Sequence, residues 1–399
     1  MALILHGALL WDGVHMEPRT GLDVLVEEDR IVAIRPTSVL SHRTHHVLDL
    51  TGTFLMPGLI DMHVHLVWSG SADPAAVVAS DGEQLTVVRA VEHARAQLAS
   101  GVTTVRDLGG NWDIPLTIAR AIVRGYTAGP RVVASGRTII MTGGHDPFWG
   151  IPSDGPQAVL RAVRRQVSFG AQVIKVAASG GVYGRPEGES VVQSELTEEE
   201  LTVAAKEAHR FGLRVAAHAL GSDGIGNALR AGVDTIEHGI FLTEELATEM
   251  VIRGTALCPT LLVYRTIAEN REGTIPAYAV DKARVAAEAH RESFRLAMEA
   301  GVRIVAGTDA GSPATPHPSL VTELELMHEY GMAPDRVLAS ATRVAADVLG
   351  FGASLGTVEP GKQADLLVVE GNPLDDLANL HRVHCVLRAG ALVPVDTRR

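Results

Sequence analysis

His63 and His65 stand one residue apart at the end of the apolar run 59–66. Residues i and i+2 of a strand face the same side, so a strand here presents two imidazoles together. Three later apolar runs close on similar chemistry. The run 214–219 carries His218, 235–239 carries His238, and 303–308 leads directly into Asp309. Within a further run, 173–178, lies Lys175. A lone strand-end histidine is ordinary, but four with an aspartate resemble a ligand set. Imidazole and carboxylate without thiolate suit Zn, Mn, Fe or Ni alike.

The chain has 31 arginines and four lysines. Lys206, Lys282 and Lys362 lie in polar stretches; only Lys175 sits inside an apolar strand. Burying an unpaired ammonium is costly, and a desolvated lysine loses its proton readily. The neutral amine can add carbon dioxide to become a carbamate, an anionic two-oxygen ligand able to bridge two metals. The alternative is an ion pair with a neighbouring acid.

These residues need a scaffold that brings strand ends together. Eight continuous apolar runs cover 59–66, 103–108, 131–135, 173–178, 214–219, 235–239, 256–262 and 303–308. Continuity rather than alternation marks strands buried on both faces. Helical patterns at 82–98, 114–124, 157–169, 198–211, 225–231, 243–253 and 281–300 separate most of them. The spacing predicts an α/β fold, a (β/α)8 TIM barrel, whose active site lies at the C-terminal ends of the strands. A doubly wound open sheet is the runner-up, weakened by the lack of a GxGxxG or Walker sequence at a strand end. Residues 274–278 read as a loop. Short runs at 3–5, 23–26 and 30–34, and again at 356–358, 365–369 and 383–387, read as strands. Neither end has enough of them to stand alone. A discontinuous β-sandwich domain of residues 1–56 plus 355–399 is expected around a barrel of 57–354.

Composition narrows the function classes. With 399 residues, 46% hydrophobic and 21% charged, the chain can bury a large core. A net charge of −12 and no basic tract argue against nucleic acid. No apolar run approaches the ~18 residues of a membrane span, and the first residues lack the basic start of a signal peptide. Two cysteines, Cys258 and Cys385, suit a reducing compartment, so a cytoplasmic location is expected. The expected partner is a small-molecule substrate, with self-association into a homo-oligomer.

Longer motifs carry a resemblance. Pro57-Gly-Leu-Ile-Asp61-Met-His63-Val-His65 resembles the opening metal motif of the metal-dependent amidohydrolase superfamily, and Gly356-Thr-Val-Glu-Pro-Gly361-Lys-Gln-Ala-Asp365-Leu its closing β-domain motif. Thr104-Val-Arg-Asp-Leu-Gly109, Ala134-Ser-Gly-Arg137, Thr142-Gly-Gly-His145, Ala177-Ala-Ser-Gly-Gly181, Ile236-Glu-His-Gly239 and Gly307-Thr-Asp-Ala310 are similar to its imidazolonepropionase/prolidase-like branch. The resemblance spans about residues 3–393. It implies a two-metal site: His63, His65, carboxylated Lys175 and Asp309 around one ion, with His218, His238 and the same carbamate around the other. Zinc is the expected metal. It also implies that His145 contacts the substrate carbonyl and that Asp309 moves the proton as a metal-bridging hydroxide attacks.

The activity so implied is hydrolysis of an amide or peptide-like C–N bond in an N-acyl amino acid or dipeptide-like molecule. Ring opening of a cyclic amide, imidazolone or lactone is a second reading. A non-catalytic metal-binding protein is a third, and it would predict damaged ligands where none is seen. Prolidase-like relatives often place an aromatic residue or histidine two positions after the strand-five histidine; here that position is Leu220, which points away from simple dipeptides. Tyr183, Arg185, Tyr264, Trp68, Trp149 and His317 are further candidates for the substrate pocket. His42, His45 and His46 read as a solvated cluster, and His93, His209, His290 and His328 as helix residues.

Overall fold

The computed structural model describes residues 2–37, 39 and 46–394. His42 and His45 lie outside the described residues, while His46 opens an exposed strand. The N-terminal stretch forms β1 (Ala2–His6), β2 (Leu9–Leu10), β3 (Leu22–Glu27), β4 (Arg30–Pro36), β5 (His46–Asp49) and β6 (Thr53–Pro57). Strands and helices then alternate: β7 (Leu59–Val64), α1 (Pro74–Ala99), β8 (Val102–Asp107), α2 (Ile114–Val123), β9 (Arg131–Ala134), β10 (Ile139–Ile140), β11 (Ile151–Pro152), α3 (Pro156–Phe169), β12 (Val173–Ala177), α4 (Glu198–Arg210), β13 (Arg214–Ala219), α5 (Ser222–Ala231), β14 (Thr235–His238), α6 (Glu244–Arg253), β15 (Ala256–Cys258), α7 (Leu261–Glu269) and α8 (Ala277–Ala300). Helices α9 (Leu320–Glu329), α10 (Pro334–Ser340) and α11 (Arg343–Leu349) lead to β16 (Leu366–Glu370), β17 (Val383–Arg388) and β18 (Ala391–Val393). The fold is mixed α/β. No helix among the described residues is long and apolar enough to cross a membrane.

The chain divides into two compact units. One comprises Met1–Asp61, Arg95–Thr104 and Leu320–Arg399, and the other Met62–Ala94 and Val105–Ser319. The first unit gathers both ends of the chain and reaches further than 1–56 with 355–399. Its strands form two sheets, in the orders β4-β3-β1-β5 and β18-β17-β16-β6-β2. The second sheet joins the two termini directly, because β6 pairs antiparallel with β16, Pro57 opposite Leu366. One buried apolar cluster draws Leu5, Val24 and Ile31 from the first sheet and Leu55, Leu366, Val368 and Leu387 from the second. Residues 356–358, expected as a strand, form none, although the Val358 amide donates to the Asp12 carbonyl at 2.9 Å.

In the other unit, β12 to β15 run parallel within the order β11-β10-β12-β13-β14-β15, and β7, β8 and β9 form a three-stranded sheet. β12 and β14 are buried at every residue, as their unbroken apolar runs require. Two expectations are corrected. The run 256–262 is a strand only to Cys258, because Thr260 turns the backbone into the left-handed region (φ 52°) and α7 starts at Leu261. The run 303–308 is not a regular strand. It contributes a parallel bridge from Ile304 to Leu257, and further on Ala310 bridges Val64. The predicted loop 274–278 ends earlier, since Pro276 caps α8. Helix α4 begins with a capping box in which Thr197 and Glu200 exchange hydrogen bonds.

Candidate metal centre and catalytic pocket

Strand ends and the loops that follow deliver the expected side chains to one cavity, lined by His63, His65, Trp68, His145, Asp146, Lys175, Val182, Tyr183, His218, His238, Val263, Tyr264, Ile267, Asp309, Ser312 and Pro313. Register explains part of this. In the parallel ladder Ala177 pairs with His218, His218 with Glu237, and Ala219 with His238. His238 and Asp309 both have left-handed backbone (φ 73° and 58°), which costs a non-glycine residue about 1–2 kcal/mol.

Nitrogens and oxygens converge tightly. Nε2 of His63 and of His65 lie 3.7 and 3.2 Å from Asp309 Oδ1, and one ligand atom from each of the three falls within 4.8 Å of the others. Behind them each imidazole is anchored. Nδ1–H of His63 donates to Glu237 Oε2 (3.0 Å) and Nδ1–H of His65 to the Gly109 carbonyl (2.8 Å). His238 Nδ1 shares a hydrogen bond with the Thr260 hydroxyl (2.7 Å), and His218 Nε2–H donates to the Gly180 carbonyl (3.2 Å). Such backing fixes ring orientation, as metal-ligating histidines require. Burial, with the positive charge of Lys175 added, lowers the His63 pKa to about 4, so the ring is neutral and able to ligate. The donor set therefore fits divalent metal.

Lys175 is 2% exposed and forms no ion pair or hydrogen bond among the described residues. Burial lowers its pKa, against the pull of Glu237, Asp146 and Asp309. The ion-paired alternative for this lysine is not what the structure holds. Asp309 behaves oppositely. Burial alone would raise its pKa, but His63, His65 and Lys175 bring it to about 2, and Ser312 Oγ donates to its Oδ1 at 3.0 Å.

Sequence reasoning missed the groups that hold these side chains. Arg106 is fully buried; its Nη2 donates to both Glu237 oxygens (2.8 and 2.9 Å), its Nη1 to Thr235 Oγ1 (2.9 Å) and its Nε to the Met62 carbonyl (2.6 Å). Burial works against the Glu237 anion, yet Arg106 and His63 keep its pKa low. Asp107 accepts from the amides of Leu66 and Gly109, both at 3.0 Å, and so shapes the turn whose carbonyl receives His65. Removing one partner of a buried pair strands the other charge. Arg106→Leu should therefore destabilise the protein by about 3–5 kcal/mol, measured by denaturant unfolding; a loss near zero would show that water reaches Glu237.

His145 stacks on His218, centroids 4.0 Å apart and planes 19° apart. Its amide donates to Glu195 Oε1 and Oε2 (3.0 and 2.8 Å) and its Nδ1–H to Glu189 Oε1 (2.7 Å). Burial opposes the imidazolium, but Asp146, Glu189 and Glu195 outweigh it and raise the pKa to about 9. The loop passes so close that a Cβ on Gly181 would lie 2.2 Å from the His145 ring. The Gly-Gly of Ala177-Ala-Ser-Gly-Gly181 was the available signal for that approach.

Of the pocket candidates, Trp68, Tyr183 and Tyr264 line the cavity. Trp68 meets Tyr183 edge-on at 5.4 Å, and Tyr264 meets His238 edge-on at 5.3 Å. Four others do not line it. Trp149 lies behind, against His65 (5.0 Å) and Trp68 (4.5 Å), its indole N–H bonded to Thr138. His317 stacks on His93 and its Nε2–H donates to the His65 carbonyl at 3.2 Å. Leu220 is fully buried, its amide bonded to Ser179 Oγ. Arg185 directs its guanidinium to the Gly188 carbonyl on its own loop. The remaining histidines brace backbone or surface: His93 donates to the Leu66 carbonyl, His290 to that of His238 and His328 to that of Met332, while His209 pairs with Asp234.

Residues 54–393 match the model of the amidohydrolase family. The chain is 34% identical over 361 residues to the ochratoxinase of Aspergillus niger, covering 81% of this chain and 71% of that one. It is 26% identical over 402 residues to the imidazolonepropionase of Methylobacterium nodulans, covering 90% and 92%. The crystal structure of a Xaa-Pro dipeptidase with bound methionine in the active site superposes with a TM-score of 0.92 at 32% identity, over 98% of this chain and 100% of that one. The matched family model and these likenesses agree: the chain belongs to the amidohydrolase family.

Proposed function

We propose that this protein hydrolyses an amide or peptide-like C–N bond in a small molecule that carries a bulky apolar group, such as an N-acyl amino acid. The reading rests on one observation: five imidazoles, a buried lysine and Asp309 meet in a single cavity. The scaffold we infer is a (β/α)8 barrel of residues 57–354 with a β-sandwich of 1–56 and 355–399. Backbone bonds from Gln172 to Ala134 and from Met62 to Ala306, both 2.9 Å, support closure of the strands into a ring.

His63, His65, carboxylated Lys175 and Asp309 would hold one divalent ion, and His218, His238 and the same carbamate a second; zinc suits the nitrogen and oxygen donors. Two such ions supply Lewis acidity at the carbonyl oxygen and a nucleophilic water at neutral pH. Asp309 takes the proton of that water and returns it to the leaving nitrogen, one group serving as base and then acid. His145 binds the carbonyl oxygen as charge develops there. Trp68, Tyr183, Val182, Val263 and Ile267 accept the apolar part of the substrate. A second reading, ring opening of a cyclic amide or imidazolone, draws on the likeness to imidazolonepropionase.

The test is a matched series on protein carrying two equivalents of zinc per chain, confirmed by elemental analysis. N-acyl and aryl amides should show kcat/KM at least about tenfold above Xaa-Pro dipeptides of similar size, roughly 1.4 kcal/mol of transition-state binding. A tenfold preference for the dipeptides would sink the apolar reading, and turnover confined to cyclic substrates would replace it with ring opening.

A further inference from the structure

Stacking on His218 fixes the plane of the His145 ring but not which edge faces the cavity. The outer torsion of a histidine is roughly two-fold, and a half-turn about it leaves the ring in the same plane with its nitrogens exchanged for carbons. Something else must choose. The Glu195 carboxylate accepts from the His145 backbone amide, so it positions the main chain and leaves that half-turn open.

Glu189 closes it. This residue lies in the loop 180–195, between β12 and α4, and its side chain is wholly buried. One oxygen, Oε1, accepts from His145 Nδ1–H (2.7 Å) and from the Gly181 amide (2.8 Å). The other, Oε2, accepts from the Arg185 amide, with Lys282 Nζ on α8 3.8 Å away. With donors on both oxygens the carboxylate cannot swing without losing several bonds. The loop is itself tied down. Lys282 Nζ donates to the Arg185 carbonyl (3.0 Å), Tyr278 O–H to that of Gly184 (3.2 Å), and the Gly180 amide to that of Gln193 (3.0 Å).

We propose that Glu189 is a positioning residue for the hydrolysis. It pins Nδ1–H of His145 and so commits the Nε2 edge to the cavity, where the substrate carbonyl oxygen must bind. The inference rests on the carbonyl-binding role given to His145 above. Glu189 acts only through that ring and touches no substrate itself. Lys282 and Tyr278 contribute one step further out, by holding the loop that holds the carboxylate.

The test is a double-mutant cycle on zinc-loaded enzyme. Glu189→Gln keeps the shape but loses the charge, and Glu189→Asp keeps the charge but is one methylene too short to reach Nδ1. Each should lower kcat by about 10- to 100-fold, by analogy with the partners of metal-ligating histidines, with KM within about threefold and zinc content unchanged. In a His145→Ala background Glu189→Gln should cost nothing further, because the ring it positions is gone. The imidazole N–H of His145 should also give a downfield proton resonance in the parent, absent from His145→Ala and shifted or lost in Glu189→Gln. That signal is read without turnover. Full additivity in the cycle, or a resonance indifferent to Glu189→Gln, would overturn the positioning role. A His145→Ala enzyme with parental turnover would instead overturn the carbonyl role, and the resonance would still report whether Glu189 holds the ring. Should Glu189→Gln fail to fold, Glu189→Asp carries the same cycle.

Discussion

Lys175→Ala should lose bound metal and activity together. The side chain is buried without an ion pair among the described residues, and burial lowers its pKa, the direction that favours the neutral amine needed for carbamate formation. Deleting it removes the one ligand that both ions would share. Lewis acidity contributes several kcal/mol to such a transition state, so kcat/KM should fall by roughly 10³-fold. Short carboxylic acids such as acetate or propionate should restore part of both metal content and turnover, since they fit the space and supply the same two oxygens. Intact-mass measurement of the native protein should find the added carbon dioxide. An enzyme that keeps two zinc ions and full activity without the lysine would remove the carbamate from this site.

Asp309→Asn should separate binding from chemistry. The carboxylate lies 3.2 Å from His65 Nε2, takes a hydrogen bond from Ser312, and is ionised across the neutral range, with a pKa of about 2 despite its burial. The amide is nearly isosteric and can still offer an oxygen to metal, but it cannot carry a proton. Metal content should change little while kcat falls by ~10²–10⁴, the usual reach of general acid–base catalysis. Loss of metal in step with activity would assign Asp309 to ligation alone, and an unchanged kcat would take it out of the proton transfer.

The inner site was legible because its logic is local. Apolar runs with polar ends, a two-residue period and one lysine in an apolar run place His63, His65, Lys175, His218, His238 and Asp309 without knowledge of partners. What braces them was not. Arg106 reaches Glu237 across 131 residues, and His145 reaches Glu189 across 44; no spacing rule links such pairs before the fold exists. The same limit appears in the elements. The apolar stretch 256–262 reads as one strand because short runs do not distinguish strand from helix, and only the left-handed turn at Thr260 divides it into β15 and α7. Likewise, Trp68 and Trp149, after the apolar runs 59–66 and 131–135, were visible, but not that Trp149 backs Trp68 rather than facing the cavity.

The pairing of β6 with β16 has a consequence for synthesis. Pro57 waits for Leu366, 309 residues further on. At 5–20 residues per second, that is a delay of roughly 15–60 s on the ribosome. Throughout it the buried residues Phe54, Leu55 and Met56 have β2 on one edge of their strand and no partner yet on the other, while residues 62–94 and 105–319 emerge with all the components of the other unit. Translation that pauses or stops before residue 366 leaves that strand open to pairing with another nascent chain. The yield of this protein in a cell should therefore fall when elongation is slowed, even where the finished fold is equally stable.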